Sequence, residues 1–496
     1  MRQIISQQMK SGEIDISTII LDTKSRDDIP QILRGLQHIY TTPKLRDEVF
    51  EILKEILPKR EVNGVMVPVD TSKGRPGMEQ WKILVLGTLR LGLNTDYDRL
   101  QELANQHNTI RQMLGHSDWN DKYHYKLQTL KDNLRLFTPE ILDKINQKVV
   151  LEGHKLLKKN NEEPLNSRAD SFVVETNVHY PTDTNLLLDA IFKIIRICMG
   201  LSFINGWTEW RQGAYIKRQF KKAYRYVQRT KHSSSKDKSK RKAQSEVIKD
   251  AHKSYINQAL TCLNRAYNTR LKLLESKISN DKLAELDDYM THAYRQIDQI
   301  QRRVILGEKI PHEEKIFSVF QPHTEWISKG KAGVPMELGL RVCVVEDHYR
   351  FIMHHQVMER TTDEAIAVEL VNATKERFPN LESISFDKGF HSKTNQVTLG
   401  KLLNHVILPK KGKLSAIDKE REGDPEFIQQ RGKHSAVESA INALEVHGLD
   451  RCNDSGIDGF KRYVAMAVLA RNIQRLGAVL RDRDRKRIRG PYLKAA

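Results

Sequence analysis

"DSFVVETNVHYPTDTN", residues 170–185, is the stretch whose reading decides the fold. It opens on a carboxylate, Asp170, passes through an apolar, β-branched run, and ends at Pro181-Thr182-Asp183. Together with the preceding "SRA" it reads as a β-strand. Thr182 or Asp183 is then the natural N-cap of a helix from about Thr184 to Cys198. A carboxylate beside such a run is costly to desolvate unless a cation meets it. Asp170 therefore faces a basic side chain, a solvent edge or a metal ion.

Working outward, strands return after Pro311. "KIFSVF", "MELGLRVCVVED" and "YRFIMHHQVM" are short, β-branched or aromatic, and bounded by Gly, Pro or Asp; the last two suggest an antiparallel pair turning at "EDHY". A helix, "TTDEAIAVELVNATKERF", follows, with Thr361 and Glu364 at capping-box spacing. Strand "LESISF" leads into Asp387 and a "KGFHSKTN" loop, then strand "NHVILPK", then helix from about His434. The order implies a mixed α/β core over 166–200 and 308–477, interrupted by a large helical insertion at 201–307.

Before the core, residues 1–57 read as helical and 58–78, rich in Pro and Gly, as a linker. Residues 79–160 read as further helices. "EQWKILVLGTLRLGL" and "DYDRLQELANQH" flank a short "GLNT" turn, which suits a helix-turn-helix DNA reader or, equally, an ordinary helical hairpin. Pro139 suits the first turn of a later helix, within a helical stretch from Tyr123 to about Lys159. Residues 478–496 form a basic tail, expected to be mobile.

The 82 Lys and Arg exceed the 63 Asp and Glu to leave a formal charge of +19, which favours a polyanionic partner such as nucleic acid. The excess is concentrated in residues 217–242, "KRQFKKAYRYVQRTKHSSSKDKSKRK", with twelve basic residues and one acid. On a helix, Lys217, Arg218, Lys221, Lys222 and Arg225 form a cationic stripe suited to phosphates; a solvated charged helix is the bland alternative. Cys198, Cys262, Cys343 and Cys452 lie far apart without a CxxC pair and read as reduced thiols. No signal-peptide core or membrane-length apolar run is present, so an intracellular, soluble protein is expected.

Three acids stand where chemistry would need them. Asp170 lies on the first strand and Asp387 at the C-terminal end of another, where ligands collect in open α/β sheets. Glu438 sits on "RGKHSAVESAINALE", an amphipathic pattern whose Val437, Ile441 and Leu444 face a core. Carboxylates converging from three elements make a hard-oxygen site for Mg²⁺. Two such ions about 3.5–4 Å apart can drive in-line phosphoryl transfer. Lys388, Arg431, Lys433 and His434 could hold a phosphate, with His434 one helical turn before Glu438. Each acid also has a plain reading: Asp170 paired with Arg168, Asp387 as the turn residue of "DKG", Glu438 as a surface acid. Glu175 falls on the opposite strand face from Asp170, and His179 is more simply a polar contact than a ligand.

"DSFVVETNVHYPTDTNLLLDAI", "KIFSVFQPHTEWISKGKAGVPMELGLRV", "FDKGFHSKTN" and "HSAVESAINALEVHGLDRC…GFKRYVAMAVLARNIQRLG" closely resemble the DDE transposases of bacterial insertion sequences, nearest the ISNCY type. The likeness covers Asn166 to Gly477 and extends less specifically to "KYHYKLQTLKDNLRLFTPEIL" and "RLQELANQHNTIRQMLG". It implies an RNase H-like core with Asp170, Asp387 and Glu438 as catalytic, metal-holding triad, and Mg²⁺, or alternatively Mn²⁺, as cofactor. It also implies double-stranded DNA as partner at element ends and target, a homodimer on DNA, and a cytoplasmic, nucleoid-associated location in a bacterium. Many relatives in the wider superfamily place an arginine where this chain has His434.

Overall fold

The computed structural model describes the chain except residues 1–2, 7, 10, 58, 63–64, 69–76, 118–120, 159–162, 231–233, 235, 276–279, 329–335 and 494–496. It is a mixed α/β protein whose strands are β1 (Lys59–Val62), β2 (Val65–Pro68), β3 (Leu165–Thr176), β4 (Glu325–Ser328), β5 (Met336–Asp347), β6 (Ile352–Met358), β7 (Leu381–Phe386), β8 (His405–Ile407) and β9 (Arg451–Cys452). β1 and β2 make a separate antiparallel ribbon inside the stretch expected as a linker, much of the rest of which lies outside the described residues. The other seven form one mixed sheet, in the order β4-β5-β3-β7-β8, with β6 also on β5 and β9 also on β3.

The chain divides into two compact units, one of residues 1–177 and 327–496, the other of residues 178–326. In the first, β3 is central. β5 runs antiparallel along it from Ser167, opposite Asp347, to Glu175, opposite Gly339. β5 and β6 are the expected antiparallel pair, and β7 and β8 add parallel strands. The first unit's core joins this sheet to helices Asp28–Thr41, Gln80–Gly92, Pro139–Leu157 and Ile457–Leu493. The first and last of these cross where Gly35 and Gly477 leave no room for a side chain: a Cβ would lie 2.2 Å from the Ile473 carbonyl oxygen and 1.9 Å from that of Gln31. Buried Asn472 ties the long helix to the sheet, donating to Asn146 Oδ1 (2.7 Å) and the Ile352 carbonyl (2.8 Å) and accepting the Ile352 N–H (3.0 Å).

Several expectations are corrected. The helix Gln80–Gly92, one of the two that flank the "GLNT" turn, is a core element buried on nearly every side. On the following helix, Tyr97–Gln106, Gln101 and Asn105 are engaged with the Tyr125 backbone. The basic tail is no separate segment: helix Ile457–Leu493 runs through it, with Asp484 paired to Arg34 at 2.6 Å and Arg485 bonded to the Thr23 carbonyl. The "KIFSVF" segment is irregular, with no strand; β4 begins only at Glu325. The helix at Asp363–Arg377 is capped at Thr362 without a side-chain bond, so Thr361 and Glu364 form no capping box.

The second unit is helical, built on Asp183–Ile204, Gly213–Arg229, Lys238–Glu275 and Asn280–Ile300. It is larger than the expected insertion because helix Asp183–Ile204, read as part of the α/β core, turns Leu187, Ile191, Ile194 and Ile195 into the second unit's own core. Phe220 stacks on Tyr255 at 4.7 Å, and Trp210 donates to Thr269 Oγ1 at 2.8 Å. Thr182, of the two candidates, is the N-cap, accepting from the Asn185 N–H. Among the described residues, no helix is long and apolar enough to cross a membrane. The four cysteines are free and buried.

Candidate functional site

Strand pairing creates a notch beside Asp170. β7 covers β3 only from Leu165 to Ala169, and β9 covers only Glu175 and Thr176. Between them, this edge of β3 has no strand partner among the described residues. Asp170 is the first residue of the uncovered stretch. Phe386, the last residue of β7, lies opposite Ala169, so Asp387 emerges beside Asp170. Helix Ala436–Leu444 packs on β3 here, burying Val437, Ala440 and Leu444 and leaving Glu438 exposed in its first turn. One sheet edge thus brings the three predicted acids into a single neighbourhood.

Their electrostatics are those of like charges brought close together. Asp170 is half-buried, and its carboxyl is pushed up to about 6. Burial is the largest cause; the charges of Asp387, Asp363 and Glu438 add to it, against the Ser171 N–H that donates to Asp170 at 2.7 Å. Among the described residues no ion pair involves Asp170, Asp387 or Glu438. The plain reading of Asp170 fails, because Arg168 bonds Glu346 at 2.7 Å and the carbonyls of Asp347 and Lys433. Asp387 does stand at a turn, its carbonyl accepting the Phe390 N–H at 3.2 Å while its side chain caps nothing.

Asp363 is the residue that sequence reasoning missed. It opens helix Asp363–Arg377, where an acid reads as an ordinary first-turn residue. One carboxylate oxygen lies 3.6 Å from Arg341; the other is buried without a hydrogen-bond partner among the described residues. Its charge and that of Asp170 both act on the buried Cys343 thiol of β5, which places them on the same patch of sheet.

The expected phosphate-holding residues behave differently from one another. Lys388 and Lys433 are exposed and in no ion pair among the described residues, while Arg431 lies 3.9 Å from Glu422. His434 is half-buried, with Nδ1 3.0 Å from Ser385 Oγ. Burial holds its pKa below the ordinary value despite the charges of Asp387 and Glu438, so it is neutral at pH 7 and supplies no positive charge. The helix expected to carry both His434 and Glu438 is interrupted at Ser435, which ends Pro425–His434 and begins Ala436–Leu444. The Glu438 N–H still bonds the Ser435 carbonyl at 3.2 Å, so the chain bends without losing its helical course. His179 bonds Asp189 at 2.6 Å, a polar contact, and Glu175 pairs with Arg451 at 3.0 Å.

An all-oxygen donor set of Asp170, Asp387 and Glu438, in no ion pair among the described residues, fits a hard divalent ion such as Mg²⁺ by its chemistry. Among the described residues, however, no three Asp, Glu, His or Cys side chains are drawn together at a separation suited to a metal ion. The backbones converge; the carboxylates are not closed on one point.

In the second unit, helix Gly213–Arg229 buries Phe220 and Val227 and half-buries Ile216 and Tyr224 on one face. Lys217, Arg218, Lys221, Lys222 and Arg225 are exposed on the other, with no ion pair among the described residues. Lys217 also lies over the Phe192 ring at 4.5 Å. The expected stripe ends at Arg229; residues 231–233 and 235 of the basic run lie outside the described residues, and Lys238 starts a new helix.

Compared with known proteins, the chain matches no protein-family model, no curated protein and no solved structure.

Proposed function

We propose that this protein is a DNA transposase of a bacterial insertion sequence, with an RNase H-like core in which Asp170, Asp387 and Glu438 hold Mg²⁺ or Mn²⁺. The observation that carries the reading is the notch in β3, where a half-buried Asp170 raised to about 6 lies in the field of Asp387, Asp363 and Glu438, and where no ion pair reaches Asp170, Asp387 or Glu438 among the described residues. Such an arrangement is destabilising in an empty pocket and favourable around a divalent ion. The sheet order supports the fold assignment: β6-β5-β3 antiparallel, then β7 and β8 parallel.

When bound, the metal would activate a water or 3′-hydroxyl and stabilise the leaving oxygen of a phosphodiester. The chain's own residues do the rest. Asp170 on β3, Asp387 just past the end of β7 and Glu438 on its helix would hold the ion. Lys388 and Lys433 attract the scissile strand's phosphates. Neutral His434 offers a hydrogen bond where an arginine would offer charge. Exposed cations of helix Gly213–Arg229 hold flanking duplex by its backbone. The partners would be double-stranded element ends and target DNA, engaged by a homodimer in the bacterial cytoplasm at the nucleoid.

The test is nicking of supercoiled DNA carrying the sequence that flanks the gene. The wild-type chain should nick it and join the freed 3′-ends to target only with Mg²⁺ or Mn²⁺, and Asp387→Asn should do neither while binding the DNA as before. Equal cutting by Asp387→Asn would dismiss the triad. A second reading, a DNA-binding protein without chemistry, draws on the unclosed carboxylates; tight binding with no metal-dependent cutting by the wild type would select it. Cut but never joined products would point to a nuclease.

A further inference from the structure

The turn that carries Asp387 is held from behind by one buried amide. Asn395 lies in helix Lys393–Leu402, whose cap, Ser392, accepts the Asn395 N–H at 3.1 Å. Its side-chain nitrogen donates to two carbonyls, that of Phe390 at 2.9 Å and that of Glu364 at 2.7 Å. Phe390 closes the short turn Lys388–Phe390 that starts at Asp387, and its ring packs on Phe386 at 5.0 Å. Glu364 belongs to the first turn of the helix that Asp363 opens. A side chain only 6% exposed therefore ties the segment following one acid to the element bearing another. Gly389, between them, sits so close to Asp363 that a Cβ would lie 3.3 Å from its Oδ2.

We propose that Asn395 is a positioning residue: by bridging the Phe390 and Glu364 carbonyls it fixes where Asp387 stands relative to Asp170 and Glu438. The inference rests on the proposed reading of those acids. Two carbonyl oxygens converging on one side chain demand two N–H donors, which an asparagine amide supplies and an aspartate of the same shape does not. Leucine fills the volume and offers no donor. Both substitutions thus remove the donors while keeping the volume, one with a polar side chain and one with an apolar one.

The experiment uses the full-length chain and two readouts. Backbone hydrogen exchange over Lys388–His391 reports the turn directly, and metal-dependent nicking kinetics report its consequence. In Asn395→Asp and Asn395→Leu, exchange in this turn should rise by about tenfold or more, while protection in β5 is kept. Nicking kcat should fall by roughly 100-fold, the scale of a misplacement near 1 Å, with KM for DNA within about twofold of wild type. A merely structural role would loosen β5 with the turn and move stability, and that result would overturn the proposal. So would unchanged turn exchange in both variants, or looser exchange with unchanged kcat. Should the wild type nick no DNA, the functional reading falls separately, and the exchange readout alone decides whether Asn395 clamps the turn.

Discussion

The sheet unit and the helical unit each gather charge at one place, of opposite sign and by opposite means. In the sheet unit the charge is negative and local, with Asp170, Asp387 and Glu438 drawn to one uncovered edge of β3 and Asp363 beside them. Its positions follow from strand register, so a shift of one residue would turn Asp170 to the other face of the sheet. In the helical unit the charge is positive and distributed, five exposed cations on one face of helix Gly213–Arg229. Their effect depends on number and side, and a neighbour can stand in for any one of them. The lesson is that chemistry needs placement, whereas phosphate attraction needs only a sum.

The comparison breaks most readily at the acids. Asp170→Asn, Asp387→Asn or Glu438→Gln should each lower metal-dependent nicking by about a thousandfold or more, since on the proposed reading each would remove a ligand from one shared site. A loss near tenfold in single-turnover assays would mean that the acids act independently, as the cations do.

On the other side, replacing Lys217, Arg218, Lys221, Lys222 and Arg225 by glutamine should weaken DNA binding in proportion to the charges removed. The slope of log affinity against log salt should fall by about 4 to 5, and single replacements should each change it by about 1. Fluorescence anisotropy across a salt series checks this. An unchanged slope would take the helix out of the interface.

A smaller effect sharpens the contrast without any DNA. Asp170 has its folded-state pKa raised to about 6 from the ordinary 3.8, so between those values the folded state holds more protons than the unfolded state. Its contribution to stability is therefore lost as pH rises through this window, in the absence of metal. Asp170→Asn removes the titration and should leave the chain more stable than wild type above pH 6, by up to about 3 kcal/mol, with the gap closing below pH 4. Thermal melts at several pH values measure it; a variant less stable at pH 7 would show that Asp170 has a cation partner in the free protein.

Much of this was legible in the sequence, and the failures have physical reasons. β5 is read to its ends because Gly and Pro punctuate a β-branched run, and Asp387 because a strand ends there in a turn. The notch was not legible: it depends on parallel pairings of β7 and the two-residue β9 with β3, which leave no local pattern. Asp363 was hidden by looking like any acid in a first helical turn. Lys82 and Arg90 interrupt the apolar run of helix Gln80–Gly92 and hide its full burial; in the fold Arg90 is buried in a pair with Asp454 at 2.7 Å. The C-terminal run "RDRDRK" looks like a loose tail by charge, yet Arg is a good helix former and Asp484 has a distant partner in Arg34. Helix Asp183–Ile204 joined the wrong unit because an apolar helix does not announce which core it will enter.

The central claim is that the three acids act together on one divalent ion, and Mn²⁺ binding to the full-length chain, followed by calorimetric titration near pH 7, tests it most directly. Wild type should bind Mn²⁺, and Asp170→Asn, Asp387→Asn and Glu438→Gln should each weaken that binding by about tenfold or more while remaining folded. Binding of undiminished strength in any of the three, or none in the wild type, would contradict the account.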